Sequence, residues 1–218
     1  QHRGQESAGI CSSDGERLHV HRGTGLVTEA FSQAQQHQLP GSAAIGHVRY
    51  TTAGESDHLN AQPLVFRYSG GQVAVAHNGN LVNAQRLRTQ LERQGSIFQT
   101  TTDTEVIPHL IARSGPPVLH AVQDTLRVIE GAFALLFLTE SGLIAAQDSR
   151  GFRPLSLGKL GEGWVVASET CALDIVEAEF VRDLQPGELL TISADGLEST
   201  ACLAPNPRAI CSFEYIYF

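Results

Sequence analysis

Helical periodicity in this chain is confined to its middle third, and that segregation constrains the fold more than any other feature. Leu81, Ala84, Leu87 and Leu91 recur at helical spacing, and Gly95 follows as a stop. Thr102-Asp-Thr-Glu105 reads as a capping box, in which the Thr102 hydroxyl accepts from the Glu105 amide and the Glu105 carboxylate reaches back. The helix it opens carries Val106, Leu110 and Ile111 inward, with Pro108 in the first turns, where a missing N–H costs least. Val118, Val122, Leu126 and Ile129 mark a third helix that ends at Gly131. Both flanks read as extended. Ser7 to Ser12, Leu18 to His21, Ser42 to Val48 and Gln72 to His77 are predicted strands, the last stopping at the turn dipeptide Asn78-Gly79. Ala132 to Leu138, Leu143 to Gln147, Gly163 to Ala167 and Leu189 to Ile192 follow the helices, interrupted by a short helix over Glu169 to Ala178. Strands, then helices, then strands exclude a regular βαβ alternation. The expected class is α+β, with two mainly antiparallel sheets and helices on the outside.

The 218 residues are 42% hydrophobic and 17% charged, enough apolar material for one continuous core and too much for a disordered chain. The longest clean apolar run, Ala132 to Leu138, is far short of the roughly 18 residues a spanning helix needs. A formal net charge of -8 offers no basic footprint for nucleic acid. Neither a nucleic-acid nor a membrane partner is expected. Cys11, Cys171, Cys202 and Cys211 form no Cys-x-x-Cys pair and no leader precedes them, which suits reduced thiols in a cytoplasmic protein; a disulfide pair is the alternative. The chain opens at Gln1, contains no Met, and halts at Phe218 inside an aromatic stretch. Residues 1–218 are therefore expected to be a single domain cut at both ends from a longer polypeptide.

Several motifs follow one another along the sequence. They are Gln1-His-Arg-Gly-Gln-Glu-Ser-Ala-Gly9, Gly46-His-Val-Arg-Tyr50 with Thr52-Ala-Gly54, and His77-Asn-Gly-Asn-Leu81. Thr102-Asp-Thr-Glu105, Asp148 with Gly151-Phe-Arg-Pro-Leu155, Ala167-Ser-Glu-Thr-Cys171 and Phe213-Glu-Tyr-Ile-Tyr-Phe218 complete the set. In this order, and over essentially the whole chain, they resemble the glutaminase domain of the amidophosphoribosyltransferases. The resemblance implies the four-layer αββα sandwich of N-terminal-nucleophile hydrolases. It also implies a mechanism in which an N-terminal cysteine attacks the side-chain amide of glutamine, with its own α-amine as base. Ammonia would then pass to a downstream phosphoribosyltransferase domain and displace pyrophosphate from phosphoribosyl pyrophosphate, giving phosphoribosylamine for purine synthesis. Glutamine, that second domain in cis and a homo-oligomer are the implied partners. No cofactor is implied for residues 1–218; Mg²⁺ and, in some members, a 4Fe-4S cluster are implied for the full-length protein. Two other readings stand beside this one: another amidotransferase of the same class, such as the hexosamine-forming enzyme, and a non-catalytic glutamine-binding module.

A thiolate attacking an amide creates an oxyanion, which needs fixed donors. Asn78 offers a side-chain N–H and Gly79 a backbone N–H; by themselves they are equally a hairpin turn, and the resemblance makes them the oxyanion hole. Glutamine's α-carboxylate suits the two-pronged guanidinium of Arg49, and its α-ammonium suits Asp103. Taken alone, Arg49 is a loop charge and Asp103 a helix cap. The resemblance puts Thr52 in the same pocket and Tyr50 in the loop that closes over glutamine. Arg3 belongs either beneath the nucleophile or to a structural salt bridge. His47 and His77 follow small apolar runs and read as core histidines, while His19 and His21 share a strand face without a third metal ligand. The resemblance puts the nucleophilic cysteine upstream of Gln1, and Cys11 does not replace it, since its amine is locked in a peptide bond and it follows an apolar strand. Cys211, just before Phe-Glu-Tyr, is a candidate iron–sulfur ligand or a buried inert thiol.

Overall fold

The extended segments are β1 (Ser7–Ser13), β2 (Leu18–Thr24), β3 (Ala43–Arg49), β4 (Leu64–Tyr68), β5 (Gly71–Leu81), β6 (Gly131–Thr139) and β7 (Gly142–Gln147). They continue with β8 (Ser156–Leu160), β9 (Gly163–Ala167), β10 (Glu179–Asp183), β11 (Glu188–Ser193) and β12 (Gly196–Ala201). The computed structural model describes residues 2–50 and 58–216. Among these, six strands form one sheet in the order β12-β11-β7-β6-β5-β4, and two three-stranded sheets run β2-β1-β3 and β10-β8-β9. Every pairing is antiparallel. Helices α1 (Val27–Ala30), α2 (Gln33–Gln36), α3 (Ala84–Arg93), α4 (Val106–Ser114), α5 (Val118–Val128), α6 (Thr170–Ile175) and α7 (Phe213–Ile216) surround them.

Side chains on a strand alternate between faces, and β5 uses both faces for burial. Val73 and Val75 pack with Phe133, Leu135 and Phe137 against Leu87, Leu91, Ile107, Ile111, Val122 and Leu126 of α3, α4 and α5. On the opposite face, Ala74, Ala76 and Leu138 meet Cys11, Leu18 and Ile45 of the first small sheet. Ala134, Ala145 and Leu190 meet Leu155, Leu157 and Leu184 at the second. Ala30 and Phe31 at the end of α1 cover Ala8 from outside. The result is a helix–sheet–sheet–helix stack whose second β layer is divided into two ladders. No helix of the described residues is long and apolar enough to cross a membrane.

Three local expectations change. The six-stranded sheet carries β5 straight through Asn78-Gly79, where a turn was expected, because β6 pairs with it as far as Leu81. Gly79 holds φ +150°, and a side chain there would collide with the Ala132 carbonyl oxygen, so the glycine serves close strand approach rather than reversal. The capping box is also different. Thr102 accepts from the Thr104 amide, in a short 3₁₀ turn over Asp103–Glu105, and Glu105 points elsewhere. Third, the helix expected over Glu169 to Ala178 is only Thr170–Ile175, because the chain must leave early to start β10. By contrast Gly95 does follow α3, at φ +91°.

Candidate active site

The register of β5 decides which of its amides face the site. Phe133, opposite Gly79, gives its own N–H to Asp148 Oδ2 and its carbonyl to the Asp148 N–H, so both point away from β5. Alternation in an antiparallel ladder then turns the amides of His77, Gly79 and Leu81 outward, past the end of β4. The His77 N–H donates to Gln62 Oε1 (2.7 Å) and the Leu81 N–H to Asp103 Oδ2 (2.8 Å). Between these two satisfied amides, the Gly79 N–H faces a cavity of about 80 Å³. Asn78 lines the same cavity, and its Nδ2 is buried without a hydrogen-bond partner among the described residues. Buried polar groups are nearly always paired, so such an orphan marks a place where a ligand atom belongs.

Arg49 ends β3 on the cavity wall, only 5% exposed, with Nη1 3.9 Å from the Glu6 carboxylate. Asp103 faces it from the 3₁₀ turn before α4, and its Oδ1 lies 3.3 Å from the Thr102 hydroxyl. Two residues on, fully buried Glu105 staples the preceding loop: it accepts from the Gln99 N–H (2.8 Å), the Thr100 N–H (2.7 Å) and the Thr100 hydroxyl (2.7 Å). Burial works to raise its pKa, but the His109 ring 3.7 Å away and the bonds from Gln99 and Thr100 win and hold it down at about 2, against an ordinary 4.5. The stabilisation it brings is therefore full above about pH 4.5 and is lost as pH falls towards 2. Glu105→Gln is expected to flatten the acid limb of stability over that window. Thermal unfolding followed from pH 6 down to pH 2 checks this, and an unchanged acid limb would refute it.

Arg3 and Arg153 complete the cavity wall, and behind them lies a mostly buried ion cluster. Glu214 accepts from Arg3 Nη1 (2.8 Å), Arg3 Nη2 (3.0 Å) and Arg153 Nη1 (2.7 Å), and Arg3 also bonds Glu169. Arg3 is thus in a salt bridge and on the cavity at once. His47 and His77 line it too; the His47 Nε2–H donates to the His77 carbonyl, and His77 Nδ1 meets the Thr104 hydroxyl at 3.0 Å. Burial pushes both rings towards the neutral form, His47 down to about 4. His77 is the core histidine expected, whereas His47 is half-buried, and His47 Nδ1 and His77 Nε2 lack partners among the described residues.

The structure therefore brings Arg3, Arg49, Tyr50, Asn78, Gly79 and Asp103 to one cavity, with Tyr50 at its rim and 66% exposed. Thr52 lies outside the described residues. Cys211 is a buried free thiol away from the cavity lining, and burial raises the Cys11 thiol to about 12. His19 and His21 part company: one bonds Asp14 and the other the Ala30 carbonyl. Gln62 and Arg153 are cavity residues that sequence reasoning missed. Arg153 lay in the quoted motif Gly151-Phe-Arg-Pro-Leu155 and was within reach of it; nothing local distinguishes Gln62.

A family model for the glutamine amidotransferase domain matches residues 47–174. The chain is 52% identical along its whole length to amidophosphoribosyltransferase of Bacillus subtilis (strain 168), of which it covers 46%. It is 50% identical to the chloroplastic amidophosphoribosyltransferase 2 of Arabidopsis thaliana, of which it covers 39%. It thus spans about half the length, or less, of these curated relatives. The solved glutamine phosphoribosylpyrophosphate amidotransferase of B. subtilis, complexed with ADP and GMP, matches 100% of the chain and 48% of its own, at TM-score 0.94 and 51% identity. A glutamine aminotransferase class-II domain protein from Silicibacter pomeroyi, 19% identical at TM-score 0.61, shares the fold. With the family pattern over more than half its residues and its full length shared with these enzymes, the chain belongs to the glutamine amidotransferase domain family, in the form found in amidophosphoribosyltransferases.

Proposed function

We propose that this domain hydrolyses glutamine to glutamate and ammonia, and that the full-length protein transfers the ammonia to phosphoribosyl pyrophosphate through a phosphoribosyltransferase domain in cis. The observation that carries the reading is the pair of open donors, Asn78 Nδ2 and the Gly79 N–H, in a cavity that also holds Arg49 and Asp103. Arg49 takes the α-carboxylate of glutamine and Asp103 the α-ammonium, so the side-chain amide falls towards Asn78 and Gly79. Those two donors stabilise the oxyanion as a thiolate adds to the amide carbon. Collapse then expels ammonia and leaves a thioester, which water cleaves. Tyr50 belongs to the loop that covers bound glutamine. Arg3 anchors the wall from behind.

Neither histidine suits the role of base, because desolvation lowers the basicity of both rings, that of His47 to a pKa of about 4. The nucleophile's own α-amine fits better. A groove of about 230 Å³ supports its delivery by a further strand, with Gly46 and His47 of β3 on one wall and Val166 and Ala167 of β9 on the other. Its floor is Ala76 and Asn78 of β5 with Ala134 and Leu136 of β6. Among the described residues β3 pairs only with β1 and β9 only with β8, so a strand entering here would join the two ladders and end its run beside Asn78. Cys211 belongs to no group of three potential metal ligands among the described residues, so these residues alone do not make an iron–sulfur site and no step runs through one. Mg²⁺ would serve the pyrophosphate of the second substrate. Four free thiols suit a reducing compartment such as the cytoplasm, and a homo-oligomer remains part of the proposal.

The test is made in the full-length chain. Asp103→Ala is expected to lower efficiency with glutamine about ten- to a hundred-fold, as loss of a charge-assisted contact of about 1.5–3 kcal/mol predicts, while ammonium salts still support synthesis. Cys→Ser at the nucleophile should abolish glutamine use and spare the ammonia reaction. Equal losses with both nitrogen sources would overturn the assignment.

A further inference from the structure

Away from the glutamine cavity, the donor atoms of His2, Glu169 and Cys171 all lie within 4.8 Å of one another. His2 Nε2 is 2.8 Å from Glu169 Oε2, and Cys171 Sγ is 3.0 Å from the same oxygen. The carboxylate is divided between two tasks. Its Oε1 is bonded by Arg3, which leaves Oε2 to face the imidazole and the thiol together. Glu169 precedes α6 yet its side chain makes no cap bond to that helix and is committed to this cluster instead.

An imidazole nitrogen, a thiol sulfur and a carboxylate oxygen are the three donor types zinc prefers, and the sulfur disfavours Mg²⁺ and Ca²⁺. Around a tetrahedral zinc these donors would stand roughly 3.3–3.6 Å apart. The His2–Glu169 and Cys171–Glu169 spacings need to open by only about half an ångström, and His2 and Cys171 are both exposed in this chain. We propose that His2, Glu169 and Cys171 form a binding site for a divalent ion of the Zn²⁺ class, with its fourth position open to water.

On binding, the metal forms bonds to His2 Nε2, Glu169 Oε2 and Cys171 Sγ and sheds the water those donors replace. The Cys171 thiol proton passes to solvent. His2 binds as neutral imidazole, carrying its proton on Nδ1. Arg3 holds the other carboxylate oxygen and fixes its orientation, as outer partners of metal ligands commonly do. Because Arg3 also lines the glutamine cavity, the ion and the cavity share one carboxylate–guanidinium pair.

Titration of the full-length chain with Co²⁺ reads the site directly, since a thiolate ligand gives a near-ultraviolet charge-transfer band. One equivalent of Co²⁺ should raise that band, and Zn²⁺ should bleach it. Cys171→Ser should abolish it, and His2→Ala should weaken binding at least about ten-fold. No band, or a band and affinity unchanged in either variant, would overturn the site. Alkylation of Cys171 by iodoacetamide in the unaltered chain gives a second readout independent of any variant's folding. Zn²⁺ should slow it at least about ten-fold, and an unchanged rate counts against the proposal.

Discussion

Asn78→Ala in the full-length chain is expected to cut turnover with glutamine by about 10²- to 10³-fold while leaving ammonia-dependent synthesis intact. The magnitude is that of losing one oxyanion donor in a site closed to water. The fold should hardly notice. Asn78 Nδ2 bonds to no described residue, so truncation strands no protein acceptor, and the backbone pairing of Asn78 with Ala134 is untouched. Stability and catalysis are therefore predicted to separate at this position, which is unusual for a side chain with a buried polar atom. Parallel assays with glutamine and with ammonium salts, alongside thermal unfolding, measure both. A large drop in melting temperature, or equal loss with the two nitrogen sources, would mean that Asn78 supports the sheet and not the reaction.

Glu214→Ala should behave in the opposite way and cost about 3–5 kcal/mol of stability, the range for removing one partner from a buried ion pair. One carboxylate here bonds two guanidiniums, Arg3 and Arg153, whose side chains are 14% and 17% exposed. Without Glu214, Arg153 loses its ionic partner among the described residues and Arg3 loses two charge-assisted hydrogen bonds. Glu214→Gln, which retains the shape and one acceptor but not the charge, should lie between the two. Urea unfolding gives the values. A loss below about 1 kcal/mol for Glu214→Ala would put these arginines in the class of solvated surface pairs.

Helices α3, α4 and α5 were open to sequence reasoning because their information is local. Leu87 and Leu91, then Val106 and Ile111, then Val122 and Leu126 repeat at the helical period, and each pair is buried against the same face of the six-stranded sheet. The strands with strong apolar content, β6 and β7, were equally plain. β4, β8, β10 and β12 were not, since β10 and β12 are mostly exposed and carry little apolar alternation, while β8 holds a glycine and a lysine. A weak strand is made by its neighbour's ladder, not by its own residues.

The site divides along the same line. Arg49, Asn78, Gly79 and Asp103 could be named from motifs, because glutamine's two charged ends and its reacting amide call for those residue types. What they do together depended on the tertiary structure. Asn-Gly is a turn in most contexts, and only pairing with β6 as far as Leu81 keeps it extended and aims the Gly79 amide at the cavity. Gln62, Arg153 and Glu214 entered the picture only when distant segments met. The sequence by itself determined the three helices of the middle third, the α+β class and the chemistry the chain can offer, since those rest on spacing and residue type. Tertiary structure alone decided which amides stay open and which charges are paired, because hydrogen-bond register and ion pairing depend on residues far apart in the chain.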